Sequence, residues 1–159
     1  MRHIFLILLL LFSLVLTACS FPTDFVVVNE SDHPIRIRYK LGEGSMDPLV
    51  ESGRPATLEA SQLRSREWRE LSATQYSFDR ANRTVTVSLM PDEALRMTHG
   101  GEGEKNTCAE INYLVKAVDI SGGAGELILK GDQVSKSFVV EPKPFYSLSH
   151  STICALRYK

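Results

Sequence analysis

Apolar and polar side chains alternate one by one along much of this chain, most clearly at 35–41. Ile35, Ile37 and Tyr39 occupy alternate positions there, with Arg36 and Arg38 between them. Successive side chains of a strand point to opposite faces, so this pattern predicts a strand with one buried and one solvent-exposed face. Alternation or a short apolar run predicts strands at 25–29, 35–41, 74–78, 84–89, 94–98, 111–118, 127–129, 134–140 and 146–158.

Turn-forming residues separate these strands at the spacing expected of a small all-β domain. Segments rich in Gly, Pro, Asn, Asp or Ser occur at 29–34, 79–82, 121–125 and 130–132, and such residues favour tight turns. We therefore predict one domain over 25–159, an antiparallel β-sandwich of about eight or nine strands with immunoglobulin-like, Greek-key connections. A small β-barrel is the alternative.

Two segments fit more than one conformation. Residues 61–71 fit a short helix with Ser61 as its N-cap, or a loop that leads to a strand centred on Trp68. Residues 91–98 fit a helical turn or a strand that runs through Met97. A strand is favoured for the second segment, because it is too short for a helix that is stable by itself.

The first eighteen residues differ in composition from the rest of the chain. Fourteen of them are apolar, and a short basic start precedes the apolar run 4–16. As a helix this run would be about 20 Å long, which is short of the ~30 Å hydrocarbon core of a membrane. The layout is typical of an export signal. The Leu-Thr-Ala-Cys sequence at 16–19 resembles the lipobox of bacterial lipoprotein precursors, a resemblance that covers residues 1–19 only.

The lipobox resemblance implies a covalent lipid anchor. It implies cleavage between Ala18 and Cys19 and a diacylglyceryl group on the Cys19 sulfur, so that 1–18 is a signal peptide and 19–24 a lipidated N-terminus with a short tether. Two or three acyl chains would make the anchor effectively permanent. An Asp after the cysteine resembles an inner-membrane retention signal; the Ser20 found here favours the periplasmic face of the outer membrane in a two-membrane bacterium. The extended tether would reach about 17 Å.

The charge of the remaining chain is nearly balanced. Without residues 1–18 it carries seventeen Lys and Arg against nineteen Asp and Glu, a net charge of about −2. Nucleic-acid binding through bulk positive charge requires the opposite balance. We therefore expect no nucleic-acid partner.

The cysteine count predicts one disulfide. Of the three cysteines, lipidation would use Cys19, which leaves Cys108 and Cys154. An even pair in an oxidising compartment favours a bridge, and a loop of this length would contribute roughly 4 kcal/mol of stability. Two free, buried thiols are the alternative.

No group of residues has the spacing of a catalytic, cofactor or metal site. His33, His99 and His150 lack any metal-ligand spacing. Ser149 and His150 are neighbours on a predicted strand and would point to opposite faces. The Gly-rich segment 100–107 lacks the contiguous Gly-Lys-Ser/Thr of a phosphate loop. We therefore expect neither catalysis nor a bound cofactor or metal.

The most suggestive surface is a basic stripe on the predicted strand 35–41. Arg36, Arg38 and Lys40 share its exposed face over about 14 Å. Such a stripe suits anionic lipid headgroups or an acidic partner protein. The competing interpretation is a solvated sheet face whose charges are balanced by acids on other strands, such as Glu51, Glu59 or Asp79.

These observations predict a lipid-anchored envelope lipoprotein whose β-sandwich is a non-catalytic binding or structural module. Its expected partners are the membrane, through the lipid, and a protein of the cell envelope. The competing functions are an accessory subunit of an envelope assembly or secretion complex and an envelope hydrolase with a site built from loops.

Overall fold

The structure, a computed structural model, describes residues 23–42, 54–63, 65, 67–100, 107–123, 125–142 and 152–159. The described residues form eleven strands: β1 (Thr23–Asn29), β2 (Ile35–Leu41), β3 (Ala56–Glu59), β4 (Arg69–Glu70), β5 (Tyr76–Asp79), β6 (Thr84–Leu89), β7 (Glu93–Gly100), β8 (Val115–Gly122), β9 (Gly125–Lys130), β10 (Val139–Val140) and β11 (Thr152–Tyr158). Two short helices, α1 (Ile111–Leu114) and α2 (Asp132–Ser137), and a 3-10 turn at Ala60–Gln62 join them.

The strands form two open sheets. Sheet 1 has the order β10-β11-β1-β7-β3-β4, and sheet 2 has the order β5-β6-β2-β8-β9. The predicted all-β sandwich is confirmed, and the barrel alternative is wrong because neither set of described strands closes on itself. The strand count exceeds the expected eight or nine partly because β4 and β10 have only two residues each.

The main core lies between the two sheets. On β2 the residues alternate strictly between buried and exposed, as the sequence pattern predicted. Two tyrosines bridge the core in opposite directions, since each donates a hydrogen bond to a carbonyl of the other sheet. Tyr39 of sheet 2 donates to the Met97 oxygen at 3.2 Å, and Tyr158 of sheet 1 donates to the Gly125 oxygen at 2.9 Å.

Sheet 1 has a second apolar cluster on its outer face. Its buried members are Val26, Val28, Leu58, Leu63, Ala94, Ile153 and Ala155, with Ala60 and Trp68 packed against them. The segment after β3 therefore folds across the sheet, and both faces of β1 are buried. Within 61–71 the structure has the 3-10 turn, a loop past Trp68 and β4, which is closer to the loop-and-strand alternative than to a helix.

Strands β1 and β11 are neighbours in sheet 1 and run parallel. Phe25 lies opposite Cys154 and Val27 lies opposite Leu156. All other pairs of described strands are antiparallel. The parallel pair brings two segments together that are far apart in sequence.

Two predicted strands begin with helical turns instead. Residues 111–114 form α1, and the strand starts only at Val115; residues 132–137 form α2, and only Val139–Val140 is extended. The apolar residues Val134 and Phe138 are four apart, and both are buried. That spacing suits one face of a helical turn as well as a strand, which explains the error.

The remaining differences concern strand starts. The favoured strand in 91–98 is confirmed as β7. It follows a turn in which Asp92 has a φ of 59°. Residues 74 and 75 belong to a turn, so β5 begins at Tyr76. Thr23 and Asp24, which the sequence assigned to the tether, are buried residues of β1. Strand β1 therefore begins two residues earlier than the sequence predicted.

Candidate binding face

The outer face of sheet 2 carries the predicted basic stripe. Arg36, Arg38 and Lys40 are exposed on β2, while Ile37 and Tyr39 point into the core. β2 is the central strand of sheet 2. The stripe therefore runs along the middle strand of a five-stranded face, and its exposure agrees with the alternation in the sequence.

The neighbours of the stripe differ from those expected. Arg38 lies between Thr86 of β6 and Asp119 of β8, so Asp119 is the nearest acid in register. Glu59 belongs to β3 of the other sheet, and Glu51 lies outside the described residues. Asp119, which was not among the acids expected from the sequence, therefore lies closest to the positive charges of the stripe in register.

Asp79 does share the outer face of sheet 2, but its carboxylate has its own partner. It lies in the same cross-strand row as Lys40, with Thr84 between them. The Asn82 side chain donates to Asp79 at 2.7 Å and the Asn82 backbone N–H at 3.1 Å. These hydrogen bonds hold the pKa of Asp79 below its ordinary value. Within the described residues, no stripe cation lies within 4.0 Å of a carboxylate oxygen.

A shallow depression adjoins the Arg36 end of the stripe. It has a volume of about 360 Å³ and is lined by Pro34, Ile35, Arg36, Ser88, Ser121 and Gly122. In register, Arg36 lies between Ser88 and Ser121, so a guanidinium and two hydroxyls line one site. All three groups are able to donate hydrogen bonds, and the arginine can bind an oxyanion through two N–H groups.

Gly122 is the residue that lets the wall of this depression approach β2. A Cβ at this position would lie 2.7 Å from Ile35 Cγ2 and 3.0 Å from the Pro34 carbonyl oxygen. The first contact is closer than real Cβ atoms come, and the second is unusually tight, so Ile35 and Pro34 would have to move. The glycine therefore permits the close spacing of β2 and β8 beside Arg36.

The opposite side of the sandwich holds a polar cluster that the sequence analysis missed. Asp24 is almost fully buried, and its carboxylate lies 2.9 Å from His99 Nδ1 and 3.8 Å from Arg96 Nη1. The Arg96 guanidinium lies over the Trp68 ring, 5.3 Å from its centroid, a cation–π geometry. The β1–β7 register brings Asp24 opposite His99, which no local spacing could reveal.

This cluster lies at one end of the outer face of sheet 1, where Asp24 is buried and the His99 side chain is 48% exposed. Asp24 has a charged or protonatable partner, as a buried carboxylate requires. The described residues contain no set of three groups that could hold a metal ion. Of the other histidines, His33 pairs with the adjacent Asp32, and His150 lies outside the described residues.

The predicted disulfide is present. Cys108, just before α1, is bonded to Cys154 of β11, and their Cα atoms lie 5.8 Å apart. This separation is within the range that a bridge requires. The bond links β11 of sheet 1 to the segment that leads into sheet 2.

The predicted lipidation site Cys19, residues 20–22 of the predicted tether, and Ser149 lie outside the described residues. Within the described part of the chain, no helix is both long enough and apolar enough to cross a membrane. Comparison with protein-family models, curated proteins and solved structures finds no match to the chain.

Proposed function

We propose that this chain is a lipid-anchored bacterial envelope lipoprotein whose domain acts by binding, with the outer face of sheet 2 as its contact surface. The exposure of Arg36, Arg38 and Lys40 on the central strand carries the proposal. Its target is an anionic surface, either lipid headgroups or the acidic face of an envelope protein. No catalytic step belongs to the proposal.

The charge pattern favours recognition by a local patch. The chain without its first eighteen residues is slightly acidic, so attraction must come from a region where cations are concentrated. Asp119 and Asp79 lie on the same face and reduce its net charge without pairing directly with the stripe. Each cation at an anionic membrane contributes about 1 kcal/mol, which decays over a Debye length of about 8 Å.

The start of β1 supports a location close to the membrane. If Cys19 is lipidated, only residues 20–22 separate it from Thr23, the first residue of the sheet. Three extended residues span about 10 Å. The domain would then stay within a short distance of the headgroups.

The stripe is tested by vesicle binding of the mature chain with Cys19→Ser, which carries no lipid. Changing Arg36, Arg38 and Lys40 to Gln should weaken binding to anionic vesicles by up to about 3 kcal/mol at low salt, because three surface cations are lost. Added salt should weaken the parent and leave the triple variant little changed. Sedimentation of the protein with vesicles measures both.

The matched control changes Arg54, Arg69 and Lys136 to Gln, none of which lies on sheet 2. These residues are also exposed, so the control has the same net charge but keeps the stripe. It should bind almost as well as the parent. Equal weakening by both variants would mean that total charge, not the stripe, drives binding; no binding by the parent would exclude lipid as the target and leave an acidic protein.

The anchor is tested by mass spectrometry of the protein purified from membranes. We expect the N-terminal residue to be Cys19 with an added diacylglyceryl mass, because the sequence at 16–19 resembles a lipobox. Cys19→Ser should release the domain or leave an uncleaved precursor. An unmodified N-terminus at any other residue would exclude the anchor.

A further inference from the structure

The edge strand β9 of sheet 2 has an unusual pattern of side chains. Glu126, Ile128 and Lys130 face outward on the same surface as the basic stripe, while Leu127 and Leu129 face the core side. Ile128 is 48% exposed, which is high for a large apolar residue. An acid, an exposed apolar residue and a base therefore lie at equal spacing along one sheet edge.

The backbone of the same three residues faces the open side of the sheet. Gly131 N–H donates to the Lys116 oxygen, which fixes the phase of the β8–β9 ladder. Leu127 and Leu129 therefore direct their backbone groups to β8, whereas those of the three outward residues point away. Among these, within the described chain, only Lys130 N–H has a partner, the Gln133 side chain at a long 3.4 Å.

This edge is complementary to itself. An antiparallel copy related by a two-fold axis at Ile128 would bring Glu126 opposite Lys130 of the copy, and Lys130 opposite its Glu126. The two Ile128 side chains would meet at the centre. Opposite charges and apolar pairs directly across strands are stabilising, and a two-fold contact uses the same patch on both subunits. A parallel arrangement in register would instead place like charges together.

The other strand edges lack this pattern. β4 and β10 have two residues each. β5 presents Ser77 and Asp79 outward and contains no cation for Asp79 to meet in a second copy. Helix α2 follows β9 but buries Val134 in the main core, so it packs at the end of the sandwich and leaves the outward residues of β9 exposed.

We propose that the protein forms a two-fold dimer through antiparallel pairing of β9 with β9 of a second copy. The two five-stranded sheets would become one ten-stranded sheet. The axis is perpendicular to that sheet, so both basic stripes would face the same side, five strand spacings or about 24 Å apart. An edge-to-edge contact buries little area, so the dimer is weak and depends on concentration. The proposal does not depend on the proposed function.

The first test is crosslinking of the full-length protein in detergent with a short bis-maleimide. Ile128→Cys should give a covalent dimer, because the two residues meet at the axis. The matched control is Ser77→Cys, exposed on the opposite edge of sheet 2, which should give at least tenfold less dimer. Equal yields for the two variants would overturn the proposal.

The second test reverses the charges in the Ile128→Cys background. Glu126→Lys alone and Lys130→Glu alone should each reduce the initial crosslinking rate about tenfold, because like charges then meet at both ends. The double reversal should restore the rate to within about twofold of the parent. Loss in the double variant, or no loss in either single variant, would exclude this register.

Discussion

Sheet 1 and sheet 2 enclose the same core but differ on their outer faces. Sheet 1 is covered outside by a second apolar cluster, so its strand β1 is buried on both sides. Sheet 2 leaves its outer face to solvent, and β2 shows strict alternation. The covered sheet contributes extra apolar burial, and the open sheet offers the surface on which charges are displayed.

This difference between the outer faces predicts at which positions the fold should tolerate substitution. On the covered sheet, even outward positions are core positions, so polar substitutions there should destabilise the fold. On the open sheet, the outward positions contribute little to stability, so their side chains can serve binding. A side chain at Val26 and one at Ser88 both point away from the main core, yet only the first is buried.

The largest expected effect is a buried charge in sheet 1. Ala94→Asp should lower the free energy of unfolding by about 4 kcal/mol or more, because Ala94 lies between Val28 and Leu58 and an unpaired carboxylate would enter an apolar cluster. Ser88→Asp, the matched change on sheet 2, should alter it by no more than about 0.5 kcal/mol. Urea denaturation measures both. Similar losses in the two variants would contradict the contrast between the outer faces.

The second largest effect on stability is expected from loss of the disulfide. Replacing Cys108 and Cys154 together by Ala should cost roughly 4 kcal/mol, because the unfolded chain loses a long covalent loop. Thermal unfolding with and without reductant measures the loss. Reductant should destabilise the parent by a similar amount and leave the stability of the double variant unchanged. If reductant does not change the thermal unfolding of the parent, the bridge is contradicted.

The smallest effect distinguishes the two tyrosines that join the sheets. Tyr39→Phe should cost about 1 kcal/mol, since the Met97 carbonyl would lose its buried partner. Tyr158→Phe should cost less, because its bond to Gly125 is only partly buried and water can replace the hydroxyl. Chemical denaturation of the two variants measures the loss of stability in each. A larger loss for Tyr158→Phe than for Tyr39→Phe would contradict the assignment of the Tyr39 hydrogen bond as the more buried of the two.

Strand β2 and its stripe were predictable from the sequence because only local alternation was needed. Burial of one face decides which residues point inward, and the odd-numbered residues of 35–41 were all apolar. The same reasoning failed at α1 and α2, where short apolar runs fit helical and extended spacing equally. It also began strand β1 two residues late, since polar Thr23 and Asp24 gave no sign of burial.

Contacts set by strand order were beyond local patterns. Asp24 meets His99 because β1 and β7 are neighbours in sheet 1, and Asp119 meets Arg38 because β8 lies beside β2. The sequence marked 127–129 only as an apolar run. The open edge of β9, and with it the outward direction of Ile128, required the sheet order.

The parallel pairing of β1 with β11 also has a consequence for the order of folding. A chain that is synthesised from its N-terminus presents β1 early. Its parallel partner β11 follows all the other described strands in sequence and becomes available only after them. Such distant pairing is slow because a long loop must close first. Until β11 is available, the edge of β1 that pairs with it is open, so we expect the unfinished chain to aggregate more readily than the complete one.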